Sequence, residues 1–88
     1  MNKSYFRDNS NIIAEKLRQL RKEKHMSQEE LAAQMQLLGV DINQRLISKI
    51  ERNERFVKDY ELACLCRVLG VSEREMLADF YETLQETK

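Results

Sequence analysis

The chain has 88 residues, no proline, two glycines and equal numbers of acidic and basic side chains. This length suits one domain with a single core, and the composition favours an all-α fold with short connections. No apolar run is long enough for a signal peptide or a membrane span, so we expect a cytoplasmic protein rather than a secreted or membrane protein.

The charges are unevenly distributed along the chain. Residues 1–58 contain twelve Lys and Arg against eight Asp and Glu, whereas residues 59–88 contain three against seven. A net charge of zero argues against simple nucleic-acid binding, but this asymmetry indicates a basic face for an anionic partner and an acidic face for another purpose.

The first two helices are predicted from apolar spacing and capping residues. Residues 1–10 have no periodicity and are expected to form a flexible arm, with Tyr5 and Phe6 folding back onto the domain. Apolar residues at helical spacing predict a first helix over about 11–24. Ser27 and Glu30 then form a capping box, which starts a second helix that runs to 37 or 38. Gly39 is expected to end it in a left-handed conformation.

Three further helices are expected after this point. Asn43 is a suitable N-cap for a third helix over about 44–52, and Asn53 is a suitable left-handed terminator. In the loop that follows, Phe56 and Val57 are expected to pack under the core. Asp59 is expected to cap a fourth helix over about 60–69, which ends at Gly70. A second capping box, Ser72 with Glu75, starts a fifth helix that continues through Leu84.

The third helix is amphipathic. Leu46, Ile47 and Ile50 fall on one side, and the polar residues Gln44, Arg45, Ser48, Lys49 and Arg52 occupy the other. An ordinary solvated face is one interpretation. The alternative is recognition of DNA, because Arg, Lys and Gln side chains carry the groups that pair with base edges in the major groove. The start of the second helix, with Gln28, could then lie against a phosphate.

The segments "LRQLRKEKHMSQEELAAQM", "ISKIERNER" and "ELACLCRVLGVSEREML" together resemble the helix-turn-helix domain of phage repressors and Cro, the xenobiotic-response-element family. The resemblance covers about residues 12–77. It implies a compact five-helix, lambda-repressor-like DNA-binding domain in which the third helix enters the major groove. Gln44, Arg45, Ser48 and Lys49 map onto base-facing positions, Gln28 and Asn43 map onto phosphate-contacting positions, and Arg21 with Glu51 map onto a structural ion pair.

The sequence departs from the family pattern between the second and third helices. The connection is longer by about five residues than the tight turn of a helix-turn-helix. Either the second helix gains a turn, or residues 37–42 form a small loop that could approach DNA. Asn53 also stands where glycine is usual in the family, which a left-handed cap tolerates.

Two other surfaces have alternative interpretations. Arg52, Arg55 and Lys58 are either phosphate contacts or a solubilising surface. An apolar strip either completes the core or forms a two-fold dimer interface; it comprises Met76, Leu77, Phe80, Tyr81 and Leu84. The expected organisation is an arm at 1–10, the DNA-binding domain at 11–78 and a helical extension at 79–88.

No catalytic, cofactor or metal site is expected. Cys64 and Cys66 are two residues apart in a helical pattern, which suits structural thiols better than a disulfide or a metal site, and His25 is the single histidine. The function that we expect is a sequence-specific, repressor-like transcriptional regulator, dimeric on a near-palindromic site and without enzymatic activity. The alternative is a protein-interaction module, such as an antitoxin-like partner, that uses the same fold.

Overall fold

The computed structural model describes residues 6–86, which form a 3-10 turn at Phe6–Asp8 followed by six α-helices. The helices are α1 (Ala14–Glu23), α2 (Gln28–Leu37), α3 (Gln44–Glu51), α4 (Asp59–Leu69), α5 (Glu73–Met76) and α6 (Ala78–Glu86). No strand occurs within 6–86, so the predicted all-α class is confirmed. The expected packing of the Tyr5 and Phe6 side chains lies outside the described residues.

A single core joins the first five helices. Its buried apolar members come from α1, α2, the connection after α2, α3, α4 and α5; they are Ile13, Leu17, Leu20, Leu31, Ala32, Met35, Val40, Ile42, Ile47, Ile50, Leu65, Cys66, Leu69 and Met76. Each helix contributes the residues that its apolar spacing places on one face. The core therefore fixes α2 and α3 against α1 and α4.

The first helix begins three residues later than expected, because Asn11 has another role. Its side-chain oxygen accepts from the Ile13 N–H at 2.9 Å, and its amide donates to the carbonyls of Ile50 and Arg55 at 3.0 and 2.9 Å. These long-range bonds hold Asn11 in a turn. The start of the domain is thus tied to the end of α3.

Asn53 holds the preceding segment in place. It adopts the expected left-handed conformation, with φ of 62°, after the end of α3. Its side-chain oxygen accepts from the backbone N–H groups of Ser10 and Asn11 at 2.8 and 3.1 Å, and its amide donates to Asn9 at 2.7 Å. Residues 9 and 10 are therefore attached to the domain rather than part of a loose arm. An asparagine here supplies bonds that glycine could not.

The lengthened connection between α2 and α3 is a loop and not an extra helical turn. Gly39 has φ of 88°, and the N–H of Val40 returns to the Met35 carbonyl at 3.1 Å. Val40 and Ile42 are buried, so the inserted residues are anchored in the core. Leu37 remains 79% exposed.

Two expectations about the loop before α4 are wrong. Phe56 does not pack under the core but is 51% exposed, whereas Val57 does pack against it. Asp59 is the first residue of α4 rather than its N-cap, and Lys58 occupies the cap position. Because lysine carries no acceptor, the carboxylate of Glu61 performs the capping and accepts the Lys58 N–H at 3.0 Å.

The predicted fifth helix is two helices. Ser72 caps α5 as expected, accepting from the Glu75 N–H at 3.0 Å, but the helix ends at Met76. Leu77 has φ of −99° and ψ of 5°, which interrupts the helix before α6. The sequence has no glycine or proline at this position, and its apolar spacing continues past Leu77. The sequence alone thus contains no sign of the break. Residues 6–86 therefore form six α-helices where five were expected.

Candidate nucleic-acid interface

Helix α3 buries its apolar face in the core and presents its polar face to solvent. The side-chain oxygen of Asn43 accepts from the Leu46 N–H at 2.9 Å and fixes the start of the helix. Ile47 and Ile50 are fully buried against α1 and α2. On the opposite side, Gln44 and Arg45 are exposed and Ser48 and Lys49 are half-buried. We call these four residues, Gln44, Arg45, Ser48 and Lys49, the reading face.

Arg21 and Glu51 join α1 to α3 through two hydrogen bonds. The Nε of Arg21 donates to one carboxylate oxygen of Glu51 at 2.7 Å, and Nη2 donates to the other at 3.0 Å. The remaining Nη1 donates to the Met26 carbonyl at 2.8 Å. Both side chains are largely buried, with 10% and 3% of their surfaces exposed. The expected partners are thus in bidentate contact between the two helices.

This ion pair continues to the molecular surface. Gln28, the first residue of α2, donates from Nε2 to a Glu51 oxygen at 2.9 Å. Its own amide oxygen accepts from Nε2 of Gln44 at 2.7 Å. Arg21, Glu51, Gln28 and Gln44 therefore form one hydrogen-bonded chain, in which a buried charge orients an exposed amide.

These hydrogen bonds leave part of the Gln44 amide available at the surface. The bond to Gln28 uses one of the two amide N–H groups of Gln44. Within residues 6–86 the other N–H and the amide oxygen have no hydrogen-bond partner, so both remain for an external partner. An adjacent donor and acceptor on one amide is the pattern that pairs with adenine N6 and N7.

The contact with Glu51 favours the charged form of Arg21. The hydrogen bonds that Arg21 donates to Glu51 raise the pKa of Arg21 above its ordinary value, against the opposing effect of burial. Losing one partner would leave the other charge buried and unpaired, which is costly. The pair therefore holds Glu51 where it accepts the hydrogen bond from Gln28.

Arg52 lies at the end of α3 and has partners of its own. It donates a hydrogen bond to the Ser48 hydroxyl and pairs with Glu54 at 3.1 Å. Both members of the ion pair are about half exposed. The hydrogen bond from Arg52 lowers the pKa of Glu54 below its ordinary value. Arg52 thus remains accessible to solvent beside the reading face.

Arg55 occupies a different environment from the one that its sequence position suggested. Its guanidinium makes two bonds to the Glu61 carboxylate, at 2.9 and 3.0 Å, and its side chain is 17% exposed. Glu61 itself is buried in the first turn of α4. Sequence reasoning missed this pair; the signal was a glutamate at the third position of α4, where it caps the helix start.

The predicted dimer strip is only partly available at the surface. Met76 is 1% exposed and Leu77 packs against the core, so these two residues follow the first alternative and complete the core. Tyr81 and Leu84 are 45% and 38% exposed on α6. An ion pair between Lys16 and Asp79 at 3.6 Å links α6 to α1.

The described residues contain neither a metal site nor a disulfide. Residues 6–86 contain no group of His, Cys, Asp and Glu side chains arranged to hold a metal ion. Cys64 and Cys66 are free thiols, and burial raises the pKa of Cys66 to about 11. Across 6–86, no helix is both long and apolar enough to traverse a bilayer.

The family follows from this arrangement together with a sequence comparison. A family model described as helix-turn-helix matches residues 17–76, which include α2, α3 and the buried ion pair. The chain belongs to the Cro/repressor-type helix-turn-helix family. Members of this family bind DNA, so the protein is a DNA-binding regulator of the helix-turn-helix kind. A comparison with curated proteins finds no match.

Proposed function

We propose that this helix-turn-helix protein is a sequence-specific, repressor-like transcriptional regulator that reads the major groove with α3. Gln44, Arg45, Ser48 and Lys49 contact base edges. Arg45 and Lys49 suit guanine, and Gln44 suits adenine. The protein acts by binding and not by catalysis, and it acts in the cytoplasm, where bacterial and phage DNA is accessible.

The observation that carries this proposal is the orientation of Gln44 by the buried ion pair. A solvated helix face needs no such support, because its side chains gain nothing from a fixed conformation. A base-contact residue does benefit, since a side chain held in its bound orientation loses less conformational entropy on binding. The 2.7 Å bond from Gln44 to Gln28 therefore favours recognition over simple solubility.

The DNA backbone is contacted by residues at the edges of this face. Gln28 and Asn43 lie at the starts of α2 and α3, where free N–H groups and the helix dipole favour an anion. Arg52 and Lys58 are exposed cations after α3. Arg55 is omitted from this set because Glu61 already binds its guanidinium.

Two protomers associate through the exposed face of α6. Tyr81 and Leu84, with the half-buried Phe80, provide the apolar contact. Recognition helices of such dimers lie about 34 Å apart, one turn of DNA, so the site is near-palindromic. Replacing Tyr81 and Leu84 by serine should yield monomers in sedimentation velocity and weaken binding to the paired half-sites. Glu82→Ser, an exposed change on the same helix, serves as the control.

Selection of bound duplexes from a random DNA pool tests the proposal. We expect enrichment of a near-palindrome whose half-sites are separated by about one helical turn. The absence of any enriched sequence would contradict sequence-specific reading. If the protein also shows no salt-dependent association with random duplex at low ionic strength, a protein-interaction module becomes the better explanation.

A further inference from the structure

A cleft of about 460 Å³ lies between α1 and the end of α3, beside the reading face. Its walls are contributed by α1 on one side and α3 on the other, with the start of α2 between them. The lining residues are Arg18, Arg21, Lys22, Gln28, Ser48, Glu51 and Arg52. None of the sequence-based expectations placed Arg18 or Lys22 in a site.

The cleft is strongly cationic in a protein of zero net charge. Four of its lining residues are Arg or Lys, and one is a carboxylate. Both oxygens of that carboxylate, on Glu51, already accept hydrogen bonds from Arg21, and one also accepts from Gln28. Glu51 therefore offsets Arg21, and Arg52 is paired with Glu54 outside the cleft lining. The charges of Arg18 and Lys22 remain uncompensated within the cleft.

Arg18 and Lys22 are the cations of the cleft with no partner in the described structure. Both are exposed and lie one turn apart on α1, and across residues 6–86 neither makes a hydrogen bond or an ion pair. Like charges at this spacing are mildly destabilising in an isolated helix. The nearby Glu23 is bonded to Gln19 at 3.1 Å instead of to either cation. The pair is thus free to accept an anion from outside.

The cleft shares residues with the reading face and its support. Ser48 belongs to the reading face, and Gln28 orients Gln44 by accepting its hydrogen bond. An anion in the cleft would therefore lie directly beside the bases that α3 contacts. The anionic group that accompanies bases at this distance is the phosphodiester of the same duplex.

We propose that the cleft binds one phosphate of the DNA backbone in each half-site, with Arg18 and Lys22 as its principal ligands and Arg52 completing the opposite wall. This inference rests on the proposed function, since it assigns a place in the complex to a surface next to the reading face. The contact sets how α3 is seated in the major groove, because phosphate contacts position a protein and base contacts specify the sequence.

The first test removes the two charges and measures the salt dependence of binding. Affinities of the wild type and of the double variant R18Q/K22Q are measured by fluorescence anisotropy on a selected site and on a random duplex, at about 50–200 mM salt. We expect the slope of log affinity against log salt to fall by about one for each cation removed, equally on both DNAs. The double variant R18K/K22R, which keeps both charges, should retain the slope.

The control is R67Q/K24Q, which removes the same charge from two residues that do not line the cleft. Lys24 lies beside Gly70 at the end of α4, and Arg67 is exposed in the last turn of that helix. Its slope should stay close to that of the wild type. Thermal unfolding of all variants establishes that the exposed substitutions leave the fold intact.

The second test locates the phosphate. A neutral methylphosphonate is placed at successive backbone positions of the selected site. We expect one position per half-site at which it weakens the wild type several-fold and leaves R18Q/K22Q unaffected. If the wild type binds DNA but R18Q/K22Q matches R67Q/K24Q, or no such position exists, the cleft assignment is overturned while the proposed function stands. A wild type that binds no DNA overturns both.

Discussion

Two arginine–glutamate pairs of nearly equal chemistry differ in position: one includes Glu51, the last residue of α3, and the other includes Arg55, in the loop after α3. Arg21–Glu51 and Arg55–Glu61 are both bidentate, with N–O distances of 2.7–3.0 Å. In each pair the glutamate side chain is 3% exposed. By geometry and burial alone, the two pairs would be given the same role.

The third hydrogen bond of each carboxylate separates them. Glu61 accepts the backbone N–H of Lys58 and so closes the start of α4. Glu51 accepts from Gln28, which in turn accepts from Gln44 on the reading face. One pair therefore serves the fold, and the other also connects the fold to the recognition surface. The function of a buried ion pair depends on what else its members bind.

The largest expected effect is on stability, and it is shared by the two pairs. Glu51→Ala and Glu61→Ala each leave an arginine buried without its partner, which should lower the free energy of unfolding by about 3–5 kcal/mol. Urea denaturation monitored by circular dichroism measures it. Glu54→Gln, which breaks an exposed pair, should cause no measurable loss. A loss for Glu54→Gln as large as the other two would contradict the role given to burial.

An intermediate effect separates the pairs by function. Gln28→Ala interrupts the connection between Glu51 and Gln44 while leaving the Arg21–Glu51 bonds in place. We expect about a five- to tenfold loss of affinity for the selected site, corresponding to one hydrogen bond, and a weaker preference at the base pair facing Gln44. Binding to a panel of single-base site variants measures this. An unchanged preference would show that the connection does not orient Gln44.

The smallest expected effect is a change in how the free energy of unfolding depends on acidic pH. Burial alone would raise the pKa of Glu61, but the hydrogen bonds from Arg55 and the Lys58 N–H outweigh it and lower the pKa below the ordinary value of 4.5. A carboxyl whose pKa is lowered on folding stabilises the folded state above its unfolded pKa, and that contribution disappears as the pH falls through the folded value.

The free energy of unfolding should therefore decrease as the pH falls below about 4.5, and the decrease should be shallower in Glu61→Gln. Denaturation at a series of pH values measures both curves. The exposed substitution Glu82→Gln is the control and should retain the wild-type dependence. If the free energy of unfolding depends on pH in the same way for Glu61→Gln and the wild type, Glu61 does not contribute to the acid sensitivity.

Local signals made much of the fold and of the reading face predictable. Ser27 and Asn43 cap the helices that they were expected to cap, because a side-chain oxygen before an apolar period is a strong start signal. The buried stripe of α3 follows from its spacing. The left-handed Asn53 was also predictable, although its bonds to residues 9–11 were not.

The features that were not predictable depend on contacts between distant residues. From the sequence alone Arg55 is expected to be an exposed cation, because its contact with Glu61 depends on how α4 packs. Met76 fits an apolar surface strip by spacing, yet the break at Leu77 turns it into the core. The cleft beside α3 combines residues from three helices, so no stretch of sequence indicates it.

The affinity of Arg45→Ala for the selected site and for random duplex tests the central claim most directly. Arg45 is an exposed residue of α3, so its removal should leave stability unchanged. We predict a loss of about 1–3 kcal/mol on the selected site, relaxed preference at one base pair and a much smaller loss on random DNA. Equal losses on the two duplexes would contradict base reading by α3.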